Sequence, residues 1–371
     1  MLRAFPVNDT IAFFRKIGVN LHEEAGGKLF PDSNRARDVL TALLRESDAV
    51  GAQLLSGHRV IDVVRLPVPS RVEGKPDTTP ASARGSDLLR REPDTSAPAA
   101  AFRIDTDQGP LHADAVVLAT GGQSLPRSGS DGAGFAIARR LGHTIVPVTP
   151  ALAPLLLAST DTMHAEVSGV SQIVELAVWV DEAVAIRLTG SLLWTHFGIS
   201  GPVALNASRH WLRAQLEGRP VAMTANFRPG DRFEDVDAGW QRLAIANPKA
   251  SVQTTLATTL PASVATAILR QLTLDGTTTL AHLSRDDRRR LSRALVEFPL
   301  AVTGSRGYTY AEATAGGVAL TEIDAGTMAS RPCPGLSCVG EILDVDGRIG
   351  GFNFQWAWSS GFTAGRALAA S

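Results

Sequence analysis

The chain has 371 residues, of which 44% are hydrophobic and 20% charged, with a formal net charge of -1. Since this length exceeds what one hydrophobic core usually organises, we expect two or three domains. The near-zero charge provides no overall attraction to nucleic acid or to an anionic membrane, so we expect neither as a partner. With no signal peptide and no run of about twenty apolar residues, a cytoplasmic location is predicted.

The two cysteines, Cys333 and Cys338, exclude a disulfide framework. Their C-x4-C spacing does not match a zinc knuckle, and no second Cys/His pair accompanies it, so we expect no metal site. Two interpretations remain for these thiols. They are either buried core residues or a redox-active pair.

The first sixty-five residues alternate helix and strand patterns. Asp9 is a plausible N-cap for a first helix that Gly18 ends, and a second helix is predicted from 36 to Val50, closed by Gly51. Extended segments are predicted at 19–22, 28–31, 53–55 and 59–64. The proline-rich stretch 67–100 has too little apolar and aromatic content to form a packed core, which predicts a disordered loop without chemistry.

Residue 101 begins a more regular region. Strands at 102–106 and 111–113 flank a Gly109-Pro110 turn, as in a hairpin. The apolar run 115–120 predicts a strand that is buried on both faces. It ends at a glycine pair, after which a glycine-rich loop leads into a helix at 135–141.

The middle of the chain differs from both ends. Short β-type runs at 173–180, 183–188 and 220–227 suggest a small barrel or sandwich, whereas 238–298 has a helical pattern. The last sixty residues return to glycine-rich α/β sequence. We therefore expect the first and last segments to form one discontinuous domain around an inserted middle.

Three segments have residues suited to chemistry. Thr120, Gly121 and Gly122 end a predicted strand with residues small enough for a ligand to lie against the backbone, and a following helix start favours an anion. A glycine-rich turn without any ligand is an equally good interpretation of this segment. His196, in a tight turn bounded by glycine and proline, is a weak candidate for an acid, a base or a substrate contact, and a structural role is the alternative.

The third segment is near the C-terminus. A short strand ends at Gly340, and the carboxylates of Glu341 and Asp344 follow at the edge where open α/β sheets bind ligands. Gly350-Gly351 then opens the last helix, whose unpaired N–H groups suit the N1–O2 edge of a flavin. The alternative is that Asp344 and Asp346 cap turns beside Gly347. No Walker A, H-E-x-x-H or G-x-S-x-G motif occurs.

Taken together, three motifs carry a family resemblance. They are A-T-G-G-Q-S-L-P with the later G-H, at 119–126 and 142–143, T-H-F-G-I-S-G-P at 195–202, and A-G-G-V through G-E-I-L-D to G-G-F-N, between 315 and 353. The sequence is similar to the bacterial NAD(P)/FAD-dependent oxidoreductases that include bile-acid enone reductase-like and aminoacetone oxidase-like proteins. The resemblance runs from about residue 3 to 369, without the proline-rich loop.

The resemblance implies an α/β fold, with a discontinuous two-dinucleotide-binding-type FAD domain interrupted by a β-barrel and a small helical insert. The implied division is 1–149 for the first part of the FAD domain, 150–237 for the barrel, 238–300 for the helical insert and 301–371 for the barrel return and the second part of the FAD domain. It implies FAD as cofactor, NAD(P)H as a candidate redox partner and a small organic substrate. The implied FAD-binding positions are Val60 at the adenine, Thr120, Gly121, Gly122, Gly340, Glu341 and Asp344 along the cofactor, and Gly350, Gly351 and Asn353 at the isoalloxazine.

The family pattern also starts with an apolar strand and G-x-G-x-x-G, which this sequence lacks. We therefore expect an N-terminally truncated form whose sheet has an unpaired apolar gap. Two functions are open. The chain is a flavin oxidoreductase, or it is an inactive remnant or interaction module that does not retain FAD.

Overall fold

The computed structural model describes residues 2–24, 27–67, 101–160 and 162–370. The loop predicted at 67–100 thus lies outside the described residues, apart from Pro67. The strands are β1 (Leu21–Glu24), β2 (Lys28–Pro31), β3 (Val60–Arg65), β4 (Phe102–Thr106), β5 (Gly109–Ala113), β6 (Val116–Leu118), β7 (Ile145–Ala151), β8 (Leu155–Leu157), β9 (Ser171–Val180), β10 (Ala183–Thr195), β11 (Gly198–Ser200), β12 (Val221–Asn226), β13 (Phe298–Leu300), β14 (Val302–Ser305), β15 (Ala313–Val318) and β16 (Leu336–Cys338).

The helices are spread over the same ranges, and the predicted α/β class is confirmed. They are α1 (Val7–Lys16), α2 (Ala36–Ala49), α3 (Ala133–Arg140), α4 (Met163–Glu166), α5 (Pro202–Leu216), α6 (Phe233–Ala246), α7 (Val252–Leu256), α8 (Ala262–Gln271), α9 (Arg285–Val296) and α10 (Phe352–Ala369). Among the described residues, no helix is long and apolar enough to cross a membrane.

Two expectations about the N-terminal segment are wrong. The first helix begins at Val7 with Pro6 as its N-cap, so Asp9 lies inside the first turn. A carboxylate there still favours the helix, because it faces the positive end of the dipole. The strand predicted at 53–55 does not form, and Leu54 is 73% exposed. An isolated apolar triplet has no neighbouring strand here to supply ladder hydrogen bonds.

The α/β part of the chain contains a three-stranded antiparallel sheet in the order β3-β4-β5, which confirms the predicted hairpin, and the parallel pair β6–β16. Phe102, Leu118 and Leu336 belong to the core between these sheets, α3 and α10. Cys333 and Cys338 are both free and buried in this core, as one of the two interpretations predicted.

The expectation that residues 115–120 are buried on both faces is wrong. The strand β6 is only three residues long, and Val117 is 40% exposed while Leu118 is buried. Within the described ranges, β6 is hydrogen-bonded to β16 on one side and to no strand on the other. One side of this strand therefore stays open, whereas the N-terminal truncation remains a prediction.

The middle of the chain forms a seven-stranded sheet in the order β13-β12-β9-β10-β11-β8-β14, with antiparallel pairing throughout. Its two edge strands, β13 and β14, are separated in sequence by Ala301 alone. Since one residue spans only a few ångströms, the sheet must curl until its edges meet. The helix α5 packs on it, and Trp194, Trp211 and Leu291 belong to a core shared with α6 to α9. The predicted four-part domain division stays a prediction.

One antiparallel pair connects the two regions. The strand β7 leaves the α/β part and enters the sheet region, and β15 returns beside it. The last helix α10 then packs against the end of β16 and against α1, where Phe14 and Trp358 meet at 4.8 Å between ring centroids. The sites of interest lie where β6, β15, β16 and α10 come together.

Candidate functional site

The glycine loop after β6 is held by Thr314 of β15. The fully buried Thr314 hydroxyl accepts hydrogen bonds from the backbone N–H of Gln123 at 2.8 Å and of Ser124 at 3.1 Å. A Cβ built on Gly122 would lie 2.5 Å from the Oγ1 of Thr314. Glycine is therefore required at Gly122 by the packing of the chain itself, independently of any ligand.

Glu341 closes the same loop from the other side. Its Oε1 accepts from the backbone N–H of Thr314 at 2.6 Å, and its Oε2 accepts from the N–H of Gly122 at 3.4 Å. Gly340 just before it has a φ of +74° and donates its N–H to the Ser360 hydroxyl of α10 at 2.9 Å. The structure thus brings the predicted positions Gly122, Gly340 and Glu341 together. The Glu341 carboxylate, however, is already hydrogen-bonded to the backbone of Gly122 and Thr314. Thr314 was not predicted as a site residue. Its only mark in the sequence is a hydroxyl in a strand of small residues.

The beginning of β3 reaches this loop through an ion pair. Arg59 contacts Asp131, whose carboxylate also accepts from the N–H of Ala133 at the start of α3. Val60, the predicted adenine position, directly follows Arg59 and is 40% exposed. The buried Ser130 hydroxyl has no hydrogen-bond partner in the described part of the chain, and it lies 2.8 Å from a Cβ built on Gly121.

The N-terminus of α10 carries unpaired backbone donors. Gly350 and Gly351 have φ values of +124° and +89°, and no side chain caps the helix. The first backbone bond to this turn is from Gln355 to the Gly351 carbonyl at 3.0 Å, so the preceding N–H groups lack a backbone acceptor. Asn353 faces back, accepting from the N–H of Gly347 at 2.6 Å and donating to its carbonyl at 3.3 Å.

An apolar cavity of about 250 Å³ lies beside this helix end. Its walls come from α1, the β1–β2 hairpin and α10, and they include Phe14, Leu29 and Trp358. A Cβ built on Gly350 would lie 3.8 Å from the Cε of Lys28, so the lysine stem approaches the same helix end. Lys28 was not predicted as a site residue, because nothing in the sequence of the hairpin indicates that it lies close to α10.

A second, more open cavity of about 640 Å³ lies next to β15 and is lined by Asp344, Asp346, Arg209, His210 and Arg213. Burial raises the pKa of Asp344, against the lowering effect of Arg213. Burial and the neighbouring Arg209 lower the pKa of His210. Asp344 therefore favours its protonated form more than an exposed aspartate does.

His196 lines neither of these two cavities. Its ring is exposed and stands edge-on to Phe197, with 5.1 Å between centroids. Phe197 in turn contacts the guanidinium of Arg306. The catalytic role of His196 stays a prediction, as do the cofactor roles of the other predicted positions.

These features fit the ring end of a flavin better than its nucleotide end. The uncapped donors at α10, two open glycines and an apolar cavity are suited to a flat aromatic ring with an electron-rich edge. Ser130 adds an unpaired hydroxyl next to the loop. For the pyrophosphate, the described residues contain no strand followed by G-x-G-x-x-G and a helix.

Comparison with known protein families identifies the family of this chain. The family model described as the HI0933-like protein Rossmann domain matches residues 90–367. The chain belongs to the HI0933-like family. The resemblance inferred from the three motifs is thereby confirmed.

Three relatives carry enzyme names. Over 369 residues the chain is 30% identical to the "3-dehydro-bile acid delta(4,6)-reductase" of Clostridium scindens, an alignment that covers 100% of this chain and 82% of the relative. It is 28% identical to the "ribosomal RNA dihydrouridine synthase" of Haemophilus influenzae, covering 95% of this chain and 78% of the relative. It is also 28% identical to the Escherichia coli protein of the same name, covering 100% and 81%.

The two names that refer to RNA contradict one prediction. We expected no nucleic-acid partner for this HI0933-like chain. That expectation is wrong, because two of its relatives are named for ribosomal RNA. It was based on a net charge of -1, which averages over the whole surface. A phosphate is attracted mainly by the cationic side chains close to it, because salt screens charges more than about 10 Å away.

Proposed function

We propose that this protein is a flavin-dependent reductase that saturates a carbon–carbon double bond conjugated with a carbonyl group. The observation that carries the proposal is the uncapped N-terminus of α10 at Gly350-Gly351, open to an apolar cavity. Such a helix end stabilises negative charge at the edge of a bound ring. FAD is the proposed cofactor and NAD(P)H the proposed electron donor.

The names of the relatives support this reaction class. A delta(4,6)-reductase acting on a 3-dehydro bile acid works on double bonds next to a ketone, and dihydrouridine is uridine whose double bond next to a ring carbonyl is saturated. Reduction of such a conjugated double bond adds a hydride to the carbon far from the carbonyl and a proton to the carbon beside it. A bound flavin supplies the hydride in such reactions.

The residues of the chain have separate roles in this proposal. The N–H groups at the start of α10 would hold the electron-rich edge of the ring, and Lys28 would add positive charge there. Thr314 and Glu341 keep the glycine loop in place. Asp344 lines the other cavity, so it is given no step at the ring.

The test is a flavin titration of the purified chain, followed by the quenching of FAD fluorescence. We expect saturable binding, and we expect Gly351→Val to weaken it by at least about tenfold, because a side chain would occupy the place of the ring. Gly230→Val is the matched control. Gly230 also has a φ of +89° and nothing within 4 Å, so both variants carry the same backbone strain.

The reaction is tested with NADPH and 2-cyclohexenone under anaerobic conditions, by the loss of the absorbance of NADPH. Turnover of the enone supports the proposal. A colourless preparation that FAD cannot reconstitute would instead support the inactive remnant. Equal loss of flavin binding in the two glycine variants would show that Gly351 does not contact the ring.

A further inference from the structure

An exposed surface near the glycine loop contains an arginine between two aromatic rings. The guanidinium carbon of Arg306 lies 4.6 Å from the ring centroid of Phe197 and 3.4 Å from that of Tyr310. Tyr310 is 48% exposed. We call Phe197, Arg306 and Tyr310 the aromatic-arginine surface.

The charge of Arg306 is not neutralised locally. Across the described ranges, no carboxylate lies within ion-pair distance of Arg306. The exposed Arg127 and the exposed His196 likewise make no ion pair there. Several other arginines do contact acids, such as Arg288 with Asp237 at 2.9 Å. An arginine without an acid partner keeps its N–H donors available for another anion.

The backbone holds this surface in a defined position. The N–H of Arg306 donates to the Pro154 carbonyl at 3.0 Å. The turn at Tyr308–Tyr310 packs against the turn at Pro126–Ser128, and Leu125 donates its N–H to the Tyr308 carbonyl at 3.0 Å. Since Leu125 lies three residues after Gly122, the aromatic-arginine surface adjoins the glycine loop.

We infer that the aromatic-arginine surface binds single-stranded RNA. Aromatic faces stack on unpaired bases and a planar guanidinium contacts phosphates, whereas the bases of a duplex are stacked on one another and out of reach. The net charge of -1 provides no general attraction, so affinity must come from local groups such as these. Because two relatives are named for ribosomal RNA, RNA is the ligand that we propose for this surface.

This inference adds RNA as a substrate class of the proposed reductase. It rests on the proposed function only for the reaction that RNA would undergo. RNA binding itself needs neither flavin nor turnover. If small enones are not reduced while RNA still binds at this surface, only the proposed function fails. If enones are reduced and RNA does not bind, only this inference fails.

The experiment measures fluorescence anisotropy of a labelled, uridine-rich RNA of twelve nucleotides with the full chain. We expect Tyr310→Leu and Arg306→Gln each to weaken binding by about tenfold, the order expected for the loss of one base–aromatic stack or its cationic neighbour. Tyr310→Phe keeps the ring and should bind as the parent does. Arg306→Gln should also lower the salt dependence by about 0.7 in the log–log slope, since one phosphate contact is lost.

The control is Arg289→Gln on the helix α9. Arg289 is exposed and stands over the ring of Phe233 at 4.9 Å, so it has the same kind of cation–π contact away from the glycine loop. It should leave RNA binding unchanged. Equal weakening by the control, equally tight binding of the duplex, or no binding by the parent chain would each overturn the inference. Unchanged melting temperatures exclude unfolding as the cause of any loss.

Discussion

At the residue scale, Asp344 is the carboxylate whose surroundings differ most from its predicted role. The sequence indicated a ligand for the cofactor, and in the structure the side chain lines an open cavity opposite Arg213. Burial and the nearby Asp346 oppose its ionisation, whereas Arg213 and a hydrogen bond from the Gly316 backbone favour it, and the net effect raises the pKa. Asp344 therefore ionises less readily than an exposed aspartate does.

The first prediction concerns the stability contributed by Asp344. Its pKa is higher in the folded chain than in the unfolded chain, so the folded chain binds more protons, and stability falls as the pH rises above the ordinary aspartate range. We expect Asp344→Asn to raise the melting temperature, and by more at pH 8 than at pH 5. Equal gains at both pH values would contradict this assignment.

Glu322, His143 and Ser330 form a buried chain of hydrogen bonds, which we call the relay. His143, with a fully buried side chain, contacts Oε2 of Glu322 through Nδ1 at 2.9 Å and the Ser330 hydroxyl through Nε2 at 2.8 Å. The order resembles that of a hydrolase triad, but Ser330 is buried and accepts from the N–H of Cys333. We therefore interpret the relay as a structural connection between three loops.

The second prediction uses the pH dependence of this relay. Burial raises the pKa of Glu322, but hydrogen bonds from Thr144 and His143 outweigh that effect and hold it below its usual range. The stability it contributes is present above the unfolded-state pKa and is lost as the pH falls through the folded-state pKa. Glu322→Gln should cost about 1 kcal/mol at pH 7 and show less loss in acid.

Urea denaturation between pH 3 and pH 7 measures this effect. Glu312→Gln is the control, since Glu312 is exposed and makes no ion pair within the described residues. It should change the free energy of unfolding by less than about 0.5 kcal/mol. If the acid loss of Glu322→Gln matches that of the parent, Glu322 does not titrate as stated.

At the scale of elements, the glycine loop depends on β15. Thr314 supplies one hydroxyl to two buried backbone donors, at Gln123 and Ser124. Valine has nearly the same shape as threonine but no acceptor, so Thr314→Val would leave both N–H groups without a partner. Each unsatisfied buried donor costs about 1–3 kcal/mol.

The third prediction follows from that geometry. Thr314→Val should lower the free energy of unfolding by about 2–4 kcal/mol and weaken flavin binding, because the loop is no longer held. Chemical denaturation measures the first effect and fluorescence titration the second. Thr303→Val is the control, since Thr303 is exposed and its one hydrogen bond, to the Leu156 carbonyl, is long at 3.4 Å. A loss below about 1 kcal/mol for Thr314→Val would contradict this explanation.

Element boundaries show what local sequence can predict. The helix 36–50 and the hairpin 102–113 were predicted within one or two residues, because capping glycines and turn residues act locally. The strand predicted at 53–55 failed, and so did the double burial of 115–120. Both depend on a neighbouring strand, which no local pattern specifies.

At the scale of the whole molecule, α5 connects the curled sheet with the loop that precedes α10. Arg209 donates to the Asp346 carbonyl at 2.6 Å and to its carboxylate at 2.8 Å, and Asn206 accepts from the N–H of Ile349 at 2.8 Å. Arg213 donates to the Pro147 carbonyl of β7 at 2.6 Å. These bonds join the segment after the T-H-F-G-I-S-G-P motif to the glycines of the proposed flavin site.

The motifs themselves predicted the family, the α/β class and the position of the glycine loops. They did so because glycines with positive φ, strand-end small residues and helix starts are short-range requirements that the sequence states directly. The absence of a nucleic-acid partner was wrongly predicted, since composition does not show where charges lie.

By itself, the sequence determined that β6 ends in a glycine loop, that α10 starts at a glycine pair and that carboxylates follow β16. Only the tertiary structure decided how those carboxylates are used. Glu341 is tied to Gly122 and Thr314, and Asp344 lines a separate cavity. Arg306 lies between Tyr310 of the next turn and Phe197 of the distant β10–β11 turn. The reason is physical, because hydrogen bonds and burial depend on groups that are close in space, and chain separation does not reveal which groups those are.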